Sequence, residues 1–438
     1  MSNYQFISQP VPLVSGDIFV PGDKSMSHRA VILGSIAQGK TTIYGYLDSE
    51  DCRATIQAMQ LMGVNIDDSS PQFLTIYGQG KHRLCAPSRP IDCGNSGTSM
   101  RLLAGLLAAQ PFDSMLIGDD SLSKRPMARI SAPLQQMKAN ITTTLTCPPI
   151  CITKAPQLIG IEYTLPIASA QIKSCLLLAG MYAQHETVLT ELQTTRNHTE
   201  LMLQAFSYPI KCQDNRITIN NLHECQATTI HIPGDLSSAA FFMVAATILP
   251  DSNITIKRVG INPTRTGVIQ ILQAMGANIV LTHVDNEHLE PVADINVRSA
   301  ALKGIDISPT LVSLAIDEFP IIFIAAACAK GRTTLKKAEE LRHKESDRIQ
   351  AMVTGLRCLG IEITDHQDGV VIHGGDFTGG EVDSFNDHRI AMAFAIAGAK
   401  AQAKVYINQC QNVATSFPDF LDKAHAVGLN IQGKYHHE

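Results

Sequence analysis

Residues 274–279 read AMGANI, and close variants of this hexapeptide recur along the whole chain. The six copies are LMGVNI at 61–66, QMKANI at 136–141, AFSYPI at 205–210, AMGANI at 274–279, CLGIEI at 358–363 and AVGLNI at 426–431. Each copy is typical of the end of an amphipathic helix followed by a short apolar strand, and in four of them a glycine follows the helix. Their spacing of about 70 residues is the scale of a repeated supersecondary unit.

Upstream of each hexapeptide lie a strand, a polar loop and, further back, a helix rich in alanine, leucine and isoleucine. The loops carry Ser, Thr, Asp or Asn where the next helix begins, and these residues cap helix N-termini. The Ala/Leu/Ile-rich helix is apolar nearly all round, which predicts burial on every side. Its copies are expected to begin near Ser25, Gly97, Ala170, Leu236, Glu318 and His388. The sequence therefore predicts an α/β fold built from six βαβαββ repeats.

The chain has 438 residues, which is long for one compact core, so we expect two domains with three repeats each. Three buried helices would then run in parallel in each domain, and their N-termini would emerge on one face. The backbone N–H groups and the positive dipole ends of such helix starts favour anions. Each domain is therefore expected to present an anion site.

The composition excludes several classes of protein. Apolar residues make up 45% and charged residues 17% of the chain, which excludes a wholly disordered protein. The net charge is -5 and there is no long basic run, so we expect no nucleic-acid partner. The longest apolar stretches, such as 241–249, are far shorter than the roughly 20 residues that span a bilayer, so we expect no membrane partner.

The first residues, MSNYQFISQPVPLV, lack the basic opening and apolar core of a secretory signal, so we expect a cytoplasmic protein. The eleven cysteines fall at scattered spacings. We therefore expect neither a disulfide framework nor a metal site.

Charged and amide side chains cluster at the predicted helix starts. The segments are PGDKSMSHR at 21–29, CGNSGTSMR at 93–101, IASAQIKS at 167–174, IDEFP at 316–320 and FNDHR at 385–389. The loops before the second helix of the repeats add Arg125, Arg196, Lys344, Glu345 and Arg348. Taken singly, such residues are often ordinary caps or solvated ion pairs. Their repeated use of equivalent positions predicts a ligand with several negative charges.

Residues 34–41 read GSIAQGKT, which matches the GxxxxGK[ST] phosphate-binding loop of nucleotide hydrolases and kinases. That loop must follow a strand and open a helix. Here an apolar helix precedes the motif, Gly39 is expected at its C-terminal cap, and TTIYGYL alternates as a strand does. We therefore interpret the match as a coincidence.

Together, PGDKSMSHR, GNSGTSMR, the SAQ of IASAQIKS, IDEFP, LRHKESDR and NDHRIAMAF resemble the 5-enolpyruvylshikimate-3-phosphate synthase family of enolpyruvyl transferases. The resemblance extends from about residue 11 to the C-terminus. It implies a two-domain inside-out α/β barrel with three repeats per domain and an active site in the interdomain cleft. The implied domains are residues 20–235, and residues 1–19 together with 236–438.

The reaction implied by the resemblance transfers the enolpyruvyl group of phosphoenolpyruvate to the 5-hydroxyl of shikimate 3-phosphate and releases phosphate, without metal or organic cofactor. A monomer is expected. The resemblance implies that shikimate 3-phosphate is bound by Lys24, Ser25, Arg29, Ser169, Ala170, Gln171, Arg196, Asp317 and Lys344. It implies that phosphoenolpyruvate is bound by Lys24, Asn95, Gly97, Arg125, Gln171, Arg348 and Arg389.

The same resemblance implies the catalytic roles. Asp317 resembles the base that takes the proton of the attacking hydroxyl, because an alcohol is a poor nucleophile. Glu345 resembles the acid that protonates C3 of phosphoenolpyruvate, and Lys24 is the alternative for that step.

Three positions bear on inhibition by the herbicide glyphosate. Ala170 stands where many members of the family have a second serine, as in a divergent branch that includes tolerant enzymes. Thr415 stands where the commoner branch has a lysine that contacts phosphoenolpyruvate. Gly97, however, is the small residue of the sensitive type, so we expect sensitivity.

Three other functions agree less well with the sequence. The sister enolpyruvyl transferase that acts on UDP-N-acetylglucosamine has Lys-Asn at the first motif and a reactive cysteine in a loop of the first domain. Here Ser25 follows Lys24, and residues 118–126 contain no cysteine. A kinase would depend on GSIAQGKT alone, and a non-catalytic binding scaffold would leave Asp317 and Glu345 without a role.

Overall fold

The computed structural model describes residues 3–70, 73–155 and 157–436. The chain divides into two compact units. Unit 1 comprises Met1–Pro21 and Pro233–Glu438, and unit 2 comprises Gly22–Ile232. The ends of the predicted domain 1–19 plus 236–438, residues 1–2 and 437–438, lie outside the described residues.

The first half of the chain alternates strands and helices. Its strands are β1 (Asn3–Gln9), β2 (Ser15–Phe19), β3 (Gln38–Tyr44), β4 (Asn65–Asp67), β5 (Phe73–Gln79), β6 (Ile91–Asp92), β7 (Ser114–Ile117), β8 (Asn140–Thr144), β9 (Cys147–Thr153), β10 (Glu162–Leu165), β11 (Thr187–Glu191), β12 (Lys211–Gln213), β13 (Arg216–Ile219) and β14 (Thr229–His231). Its helices are α1 (Lys24–Ile36), α2 (Glu50–Leu61), α3 (Gly97–Leu107), α4 (Ala128–Gln136), α5 (Ala170–Gly180) and α6 (His198–Ala205).

The second half continues the alternation. Its strands are β15 (Asn253–Gly260), β16 (Asn278–Asp285), β17 (Val292–Arg298), β18 (Arg332–Leu335), β19 (Ile363–His366), β20 (Gly369–His373), β21 (Gly380–Asp383), β22 (Val405–Asn408) and β23 (Asn430–His436). Its helices are α7 (Leu236–Ile248), α8 (Gly267–Ala274), α9 (Phe319–Ala327), α10 (Arg348–Cys358), α11 (His388–Lys400) and α12 (Phe420–Ala426). Short 3-10 helices cover Leu122–Lys124, Pro309–Leu311, Glu339–His343 and Cys410–Thr415. The predicted α/β class is confirmed.

Over residues 3–70, 73–155 and 157–436 the strands form six sheets with closely related topology. The sheet β6-β7-β9-β8 shows the pattern: the first two strands are parallel and the other pairs are antiparallel. Two sheets are completed by strands that lie next to the crossings between the units. β2 pairs in parallel with β15, and β14 pairs in parallel with β3. β1 completes the last sheet by pairing with both β22 and β23.

The odd-numbered helices are the buried ones. Every residue of α7 and α9 is buried, and so is every residue of α11 except Lys400. In unit 1, α7, α9 and α11 pack against one another, and in unit 2, α3 packs against both α1 and α5. Among the described residues, no helix combines the length and apolar character needed to cross a membrane.

The six repeated hexapeptides form the same helix ending. In each one the third residue has a positive φ, and backbone N–H groups after the helix return to carbonyls of its last turn. Glycine takes this conformation at Gly63, Gly276, Gly360 and Gly428, with φ between 85° and 99°. Lys138 and Ser207 take it without glycine, with φ of 70° and 57°. The ending is therefore set by the chain reversal into the next strand and not by glycine alone.

The GSIAQGKT segment does not form a phosphate-binding loop. α1 ends at Ile36 with Ala37 as its C-cap, and β3 begins at Gln38. The expected position of Gly39 at the helix cap is therefore wrong, because Gly39 lies inside β3, where its φ is 106°. Lys40 lies in the same strand and does not open a helix. The context that the motif requires is absent.

We predict that Gly105→Ala destabilises unit 2. A Cβ atom at position 105 of α3 would lie 2.1 Å from the backbone oxygen of Cys175 in α5, so the two buried helices would have to separate. Overpacking of this kind costs typically about 1–3 kcal/mol. Denaturant unfolding measures it, with Gly375→Ala as the control because its Cβ would meet Ile361 at an ordinary 3.5 Å. Equal losses in both variants would contradict close packing of α3 on α5.

Candidate active site

Arg348 is the centre of a group of charged side chains in unit 1. It is 1% exposed, and its guanidinium group reaches three carboxylates. Nε donates to Asp387 Oδ2 at 2.8 Å, Nη1 to Asp317 Oδ1 at 3.3 Å and Nη2 to Glu345 Oε2 at 2.5 Å. Burial opposes the charge on Arg348, but Asp387, Glu345 and Asp317 outweigh it and raise the pKa of the guanidinium above its ordinary value. Arg348 is therefore held as a fixed cation.

Asp317 lies just before Glu318, the N-cap of the buried helix α9, and three cations lie near its carboxylate. Its Oδ1 lies 4.0 Å from Lys344 Nζ, and its Oδ2 lies 4.0 Å from Arg389 Nη2. Burial lowers the pKa of Lys344, and the carboxylate of Asp317 partly offsets this effect. With Arg348, three cations therefore face one carboxylate.

Asp387 positions two of these arginines. It is the N-cap of α11, where Oδ1 accepts from the backbone N–H of Arg389 at 2.9 Å. Its Oδ2 accepts from Arg348 and from Ser346 Oγ at 3.1 Å. One buried carboxylate thus fixes both the start of a core helix and a neighbouring guanidinium group.

In unit 2, the start of α1 carries Lys24, Ser25 and Arg29. Lys24 Nζ lies 2.9 Å from Asp51 Oδ2. Arg29 Nη1 donates to the backbone oxygen of Ser25 at 2.8 Å, and the remainder of its guanidinium group donates to two hydroxyl groups. These are Thr199 Oγ1 and Ser174 Oγ, each at 2.7 Å.

Arg125 and Gln171 are held by amide and hydroxyl groups. Arg125 Nη2 donates to Asn95 Oδ1 at 2.9 Å, and Gln171 links the starts of α5 and α3. Its amide donates to Thr98 Oγ1 at 2.9 Å and accepts from Arg101 Nη1 at 2.5 Å. These acceptors orient the guanidinium groups and carry no charge of their own.

Three of the remaining residues lie at or before the starts of α5 and α6, and Thr415 lies in the 3-10 helix Cys410–Thr415. Ser169 is the N-cap of α5 and accepts from the backbone N–H of Ile172. Ala170 is the first residue of that helix, and Arg196 is half-buried in the loop before α6. Thr415 is 4% exposed and donates to the backbone oxygen of Asn412 at 2.7 Å.

The structure thus brings the predicted residues together in two groups. One contains Asp317, Lys344, Glu345, Arg348 and Arg389 of unit 1. In unit 2, hydrogen bonds join Asn95 to Arg125, Gln171 to the start of α3, and Arg29 to α5 and α6. Within the ranges that the structure describes, no cluster of His, Cys, Asp and Glu is arranged to hold a metal ion.

The sequence did not select the residues that hold these side chains in place. They are Asp51, Thr98, Arg101, Ser174, Thr199 and Asp387, and all contact a predicted site residue. Thr98, Arg101, Ser174 and Asp387 stand in the helix-start motifs quoted above, but no site role was predicted for them. A usable signal exists for Ser174, which lies three residues after Gln171 and so near the same helix end.

Comparison with known proteins identifies related chains. Residues 8–424 match the family EPSP synthase (3-phosphoshikimate 1-carboxyvinyltransferase). The 3-phosphoshikimate 1-carboxyvinyltransferase of Legionella pneumophila (strain Lens) is 58% identical over 98% of this chain and 99% of its own. That of Methylococcus capsulatus is 53% identical over 98% of both chains. The solved structure of EPSP synthase from Acinetobacter baumannii has a TM-score of 0.87 and 49% identity, and covers 98% of this chain and all of that one.

We predict that His28 makes unit 2 less stable in acid. Burial, with Lys24 and Arg29 nearby, lowers the pKa of His28 from 6.5 to about 3. As the pH falls from 6.5 towards 3, the unfolded chain binds a proton that the folded chain does not. The free energy of unfolding therefore decreases by about 1.4 kcal/mol per pH unit from this group.

Urea unfolding of the wild type and of His28→Gln between pH 6 and pH 4 tests this. The wild type should lose stability more steeply than the variant. His82→Gln, which alters an exposed histidine of the same unit, is the control and should follow the wild type. Parallel curves for the wild type and His28→Gln would contradict the prediction.

Proposed function

This chain belongs to the EPSP synthase family, and on that basis we propose that its two groups of site residues bind shikimate 3-phosphate and phosphoenolpyruvate. The chain is an enzyme of the shikimate pathway. It transfers the enolpyruvyl group of phosphoenolpyruvate to the 5-hydroxyl of shikimate 3-phosphate and releases phosphate. The alternative acceptor, UDP-N-acetylglucosamine, is not favoured by these comparisons.

The proposal includes a finer architecture. The six related sheets and their buried helices are six βαβαββ repeats, three in each of two inside-out barrels. The domains are residues 20–235, and residues 1–19 with 236–438, and each contributes residues that bind substrate. We also propose that the enzyme is a cytoplasmic monomer that needs no cofactor.

Shikimate 3-phosphate is bound in this proposal by side chains that donate hydrogen bonds to phosphate and hydroxyl oxygens. The residues are Lys24, Ser25, Arg29, Ser169, Ala170, Gln171, Arg196, Asp317 and Lys344. Support comes from Arg29, whose guanidinium group is oriented by Ser174 and Thr199, both uncharged. A guanidinium group oriented in this way can bond two oxygens of a phosphate at once.

Phosphoenolpyruvate is bound by Lys24, Asn95, Gly97, Arg125, Gln171, Arg348 and Arg389. Three arginines suit this small anion because a guanidinium group can bond two oxygens of a carboxylate or phosphate at once. Asn95 fixes Arg125, and Asp387 fixes Arg348. The binding geometry is thus largely preorganised, which lowers the entropic cost of binding.

Asp317 is the proposed base, and its surroundings are the observation that carries the proposal. Its carboxylate lies within 4.0 Å of Lys344, Arg348 and Arg389. These cations favour the ionised form that a base requires. As Asp317 takes the proton of the 5-hydroxyl, the oxygen attacks C2 of phosphoenolpyruvate while C3 gains a proton. Loss of a proton from C3 and of phosphate from C2 then completes the reaction.

Glu345 is the proposed acid at C3, with Lys24 as the alternative. Glu345 Oε2 lies 2.5 Å from Arg348 Nη2. Glu345 and phosphoenolpyruvate would therefore contact the same guanidinium group. An anion bound to Arg348 weakens this ion pair, which makes Glu345 easier to protonate. Lys24 is paired with Asp51, so it too can receive and return a proton through a neighbouring carboxylate.

The assay for the proposal is phosphate release from phosphoenolpyruvate with and without shikimate 3-phosphate. We predict that Asp317→Asn lowers kcat by about 10²–10⁴-fold, as expected for loss of a positioned base. Arg125→Ala, the matched variant, should instead raise the KM for phosphoenolpyruvate about tenfold or more, because it removes a charge-assisted contact.

The two measurements distinguish the proposed base, Asp317, from the proposed binding residue, Arg125. A near-normal kcat for Asp317→Asn would assign the base elsewhere, and an unchanged KM for Arg125→Ala would remove that residue from the binding site. Phosphate release that did not depend on shikimate 3-phosphate would refute the acceptor.

Gly97 leads to a prediction on glyphosate. A Cβ atom there would lie 3.0 Å from Arg101 Nη1 and 3.1 Å from Arg125 Nη1. An added methyl group therefore presses on Arg125, a proposed anion contact, and on Arg101, which donates to Gln171. We predict that the wild type is inhibited below millimolar glyphosate. Gly97→Ala should raise both the inhibition constant and the KM for phosphoenolpyruvate, with Gly375→Ala as control. An inhibition constant in the millimolar range for the wild type would contradict this.

A further inference from the structure

A buried polar cluster in unit 1 lies beside the proposed active site but has no role in the reaction as described so far. We call it the Arg265 cluster, and it consists of Asp235, Ser237, Arg265 and Glu318. Each of these residues is 3% exposed or less. Charged groups are rarely buried to this extent unless they are paired. The cluster therefore requires an explanation.

Arg265 occupies a place in its repeat similar to that of three of the predicted anion-binding arginines. It lies in the loop between β15 and α8, as Arg125 and Arg196 lie in the loops before α4 and α6, while Arg348 is the first residue of α10. Its contacts differ from those of Arg125. Nη2 donates to Ser237 Oγ at 2.7 Å and to Asp235 Oδ1 at 3.2 Å. Both acceptors lie at the start of α7, so the guanidinium group is directed at the start of that buried helix.

Glu318 connects this cluster to the active site. Although it is the N-cap of α9, its side chain makes no capping hydrogen bond in the described structure. Its carboxylate instead accepts from Ser237 Oγ and lies 3.6 Å from Arg265 Nη2. The same oxygen, Oε1, lies 4.0 Å from Arg389 Nη1. Glu318 Oε1 thus lies near both Arg265 of the cluster and Arg389 of the proposed active site.

The distances suggest what this sharing achieves. Arg389 lies between consecutive carboxylates, with Nη2 4.0 Å from Asp317 and Nη1 4.0 Å from Glu318. Both separations are longer than the roughly 2.7–2.9 Å of a charge-assisted hydrogen bond. Coulomb attraction therefore aims the guanidinium group without closing a tight ion pair. Were Glu318 not held by Ser237 and Arg265, its charge would favour such a pair with Arg389.

We propose that the Arg265 cluster is a positioning device for Arg389, in which Ser237 and Arg265 restrain Glu318 so that Arg389 stays directed at phosphoenolpyruvate. This rests on the proposed role of Arg389 at that substrate. Arg265 and Ser237 are positioning residues and do not touch substrate. Weakening the cluster should therefore impair binding of phosphoenolpyruvate and leave shikimate 3-phosphate unaffected.

Ser237→Ala is the first test, because it removes only the hydroxyl group between Arg265 and Glu318. We expect the KM for phosphoenolpyruvate to rise about fivefold to tenfold, the factor that corresponds to the net loss of one ordinary hydrogen bond. The KM for shikimate 3-phosphate and kcat should change less than twofold. The control is Thr247→Val at the other end of α7, where a buried hydroxyl donates to Met243 O at 2.7 Å. It should leave both KM values unchanged.

A double-mutant cycle with Arg389→Lys separates this proposal from a purely structural role. If Ser237 acts through Arg389, Ser237→Ala should raise the KM for phosphoenolpyruvate less than twofold in the Arg389→Lys background. Multiplicative effects of the two changes, or equal rises in both KM values with Ser237→Ala, would overturn the proposal. If Arg389→Lys alone left the KM unchanged, the proposed binding role of Arg389 would fail as well.

Arg265→Lys is the second variant should Ser237→Ala not fold. It keeps the charge but loses the planar fork that reaches Ser237 and Asp235 together. We expect the same selective rise in the KM for phosphoenolpyruvate, with thermal unfolding to confirm that the variant is folded. An unchanged KM in folded Arg265→Lys would overturn the proposal.

Discussion

The first turn of an α-helix carries backbone N–H groups that no carbonyl of the same helix can accept, and leaving them unpaired in a core is costly. This fold buries six helices, so the constraint acts six times. Side chains of Asp23, Ser96, Ser169, Asp235 and Asp387 meet it by capping five of them. The carboxylates among these caps need cations in turn. Asp387 takes Arg348, and Asp235 takes Arg265. Packing helices inward thus concentrates charge at their starts, which is where the proposed chemistry lies.

Much of this could be read from the sequence because it is local. The six hexapeptides predicted the helix endings, and the apolar helices begin within one residue of the expected positions. Contacts between distant segments could not be predicted, since nothing near Arg29 indicates that Thr199 will accept from its Nε. The same holds for Asp51 beside Lys24. One local pattern gave a wrong prediction. Gly39 resembles a helix cap, but β3 begins one residue before it.

The two groups of site residues differ in the side chains that orient their cations. In unit 1, Lys344, Arg348 and Arg389 stand against Asp317, Glu345 and Asp387, so most positive charge is balanced and proton transfer is possible. In unit 2, Arg29, Arg101 and Arg125 are oriented by hydroxyl and amide groups. These hydroxyl and amide partners carry no charge of their own. An overall charge of -5 therefore gives no guide to the sign of the field that a substrate meets.

The pairing of β2 with β15, and of β14 with β3, has a consequence for synthesis on the ribosome. Unit 2, residues 22–232, is contiguous and has all its strands once β14 has been translated. β1 and β2 are made first but wait for β15, β22 and β23, and the pairing of β1 with β23 joins residues at opposite ends of the chain. Closing so long a loop is slow, and it leaves strand edges unpaired in the meantime. Until those later strands are made, β1 and β2 are therefore open to aggregation.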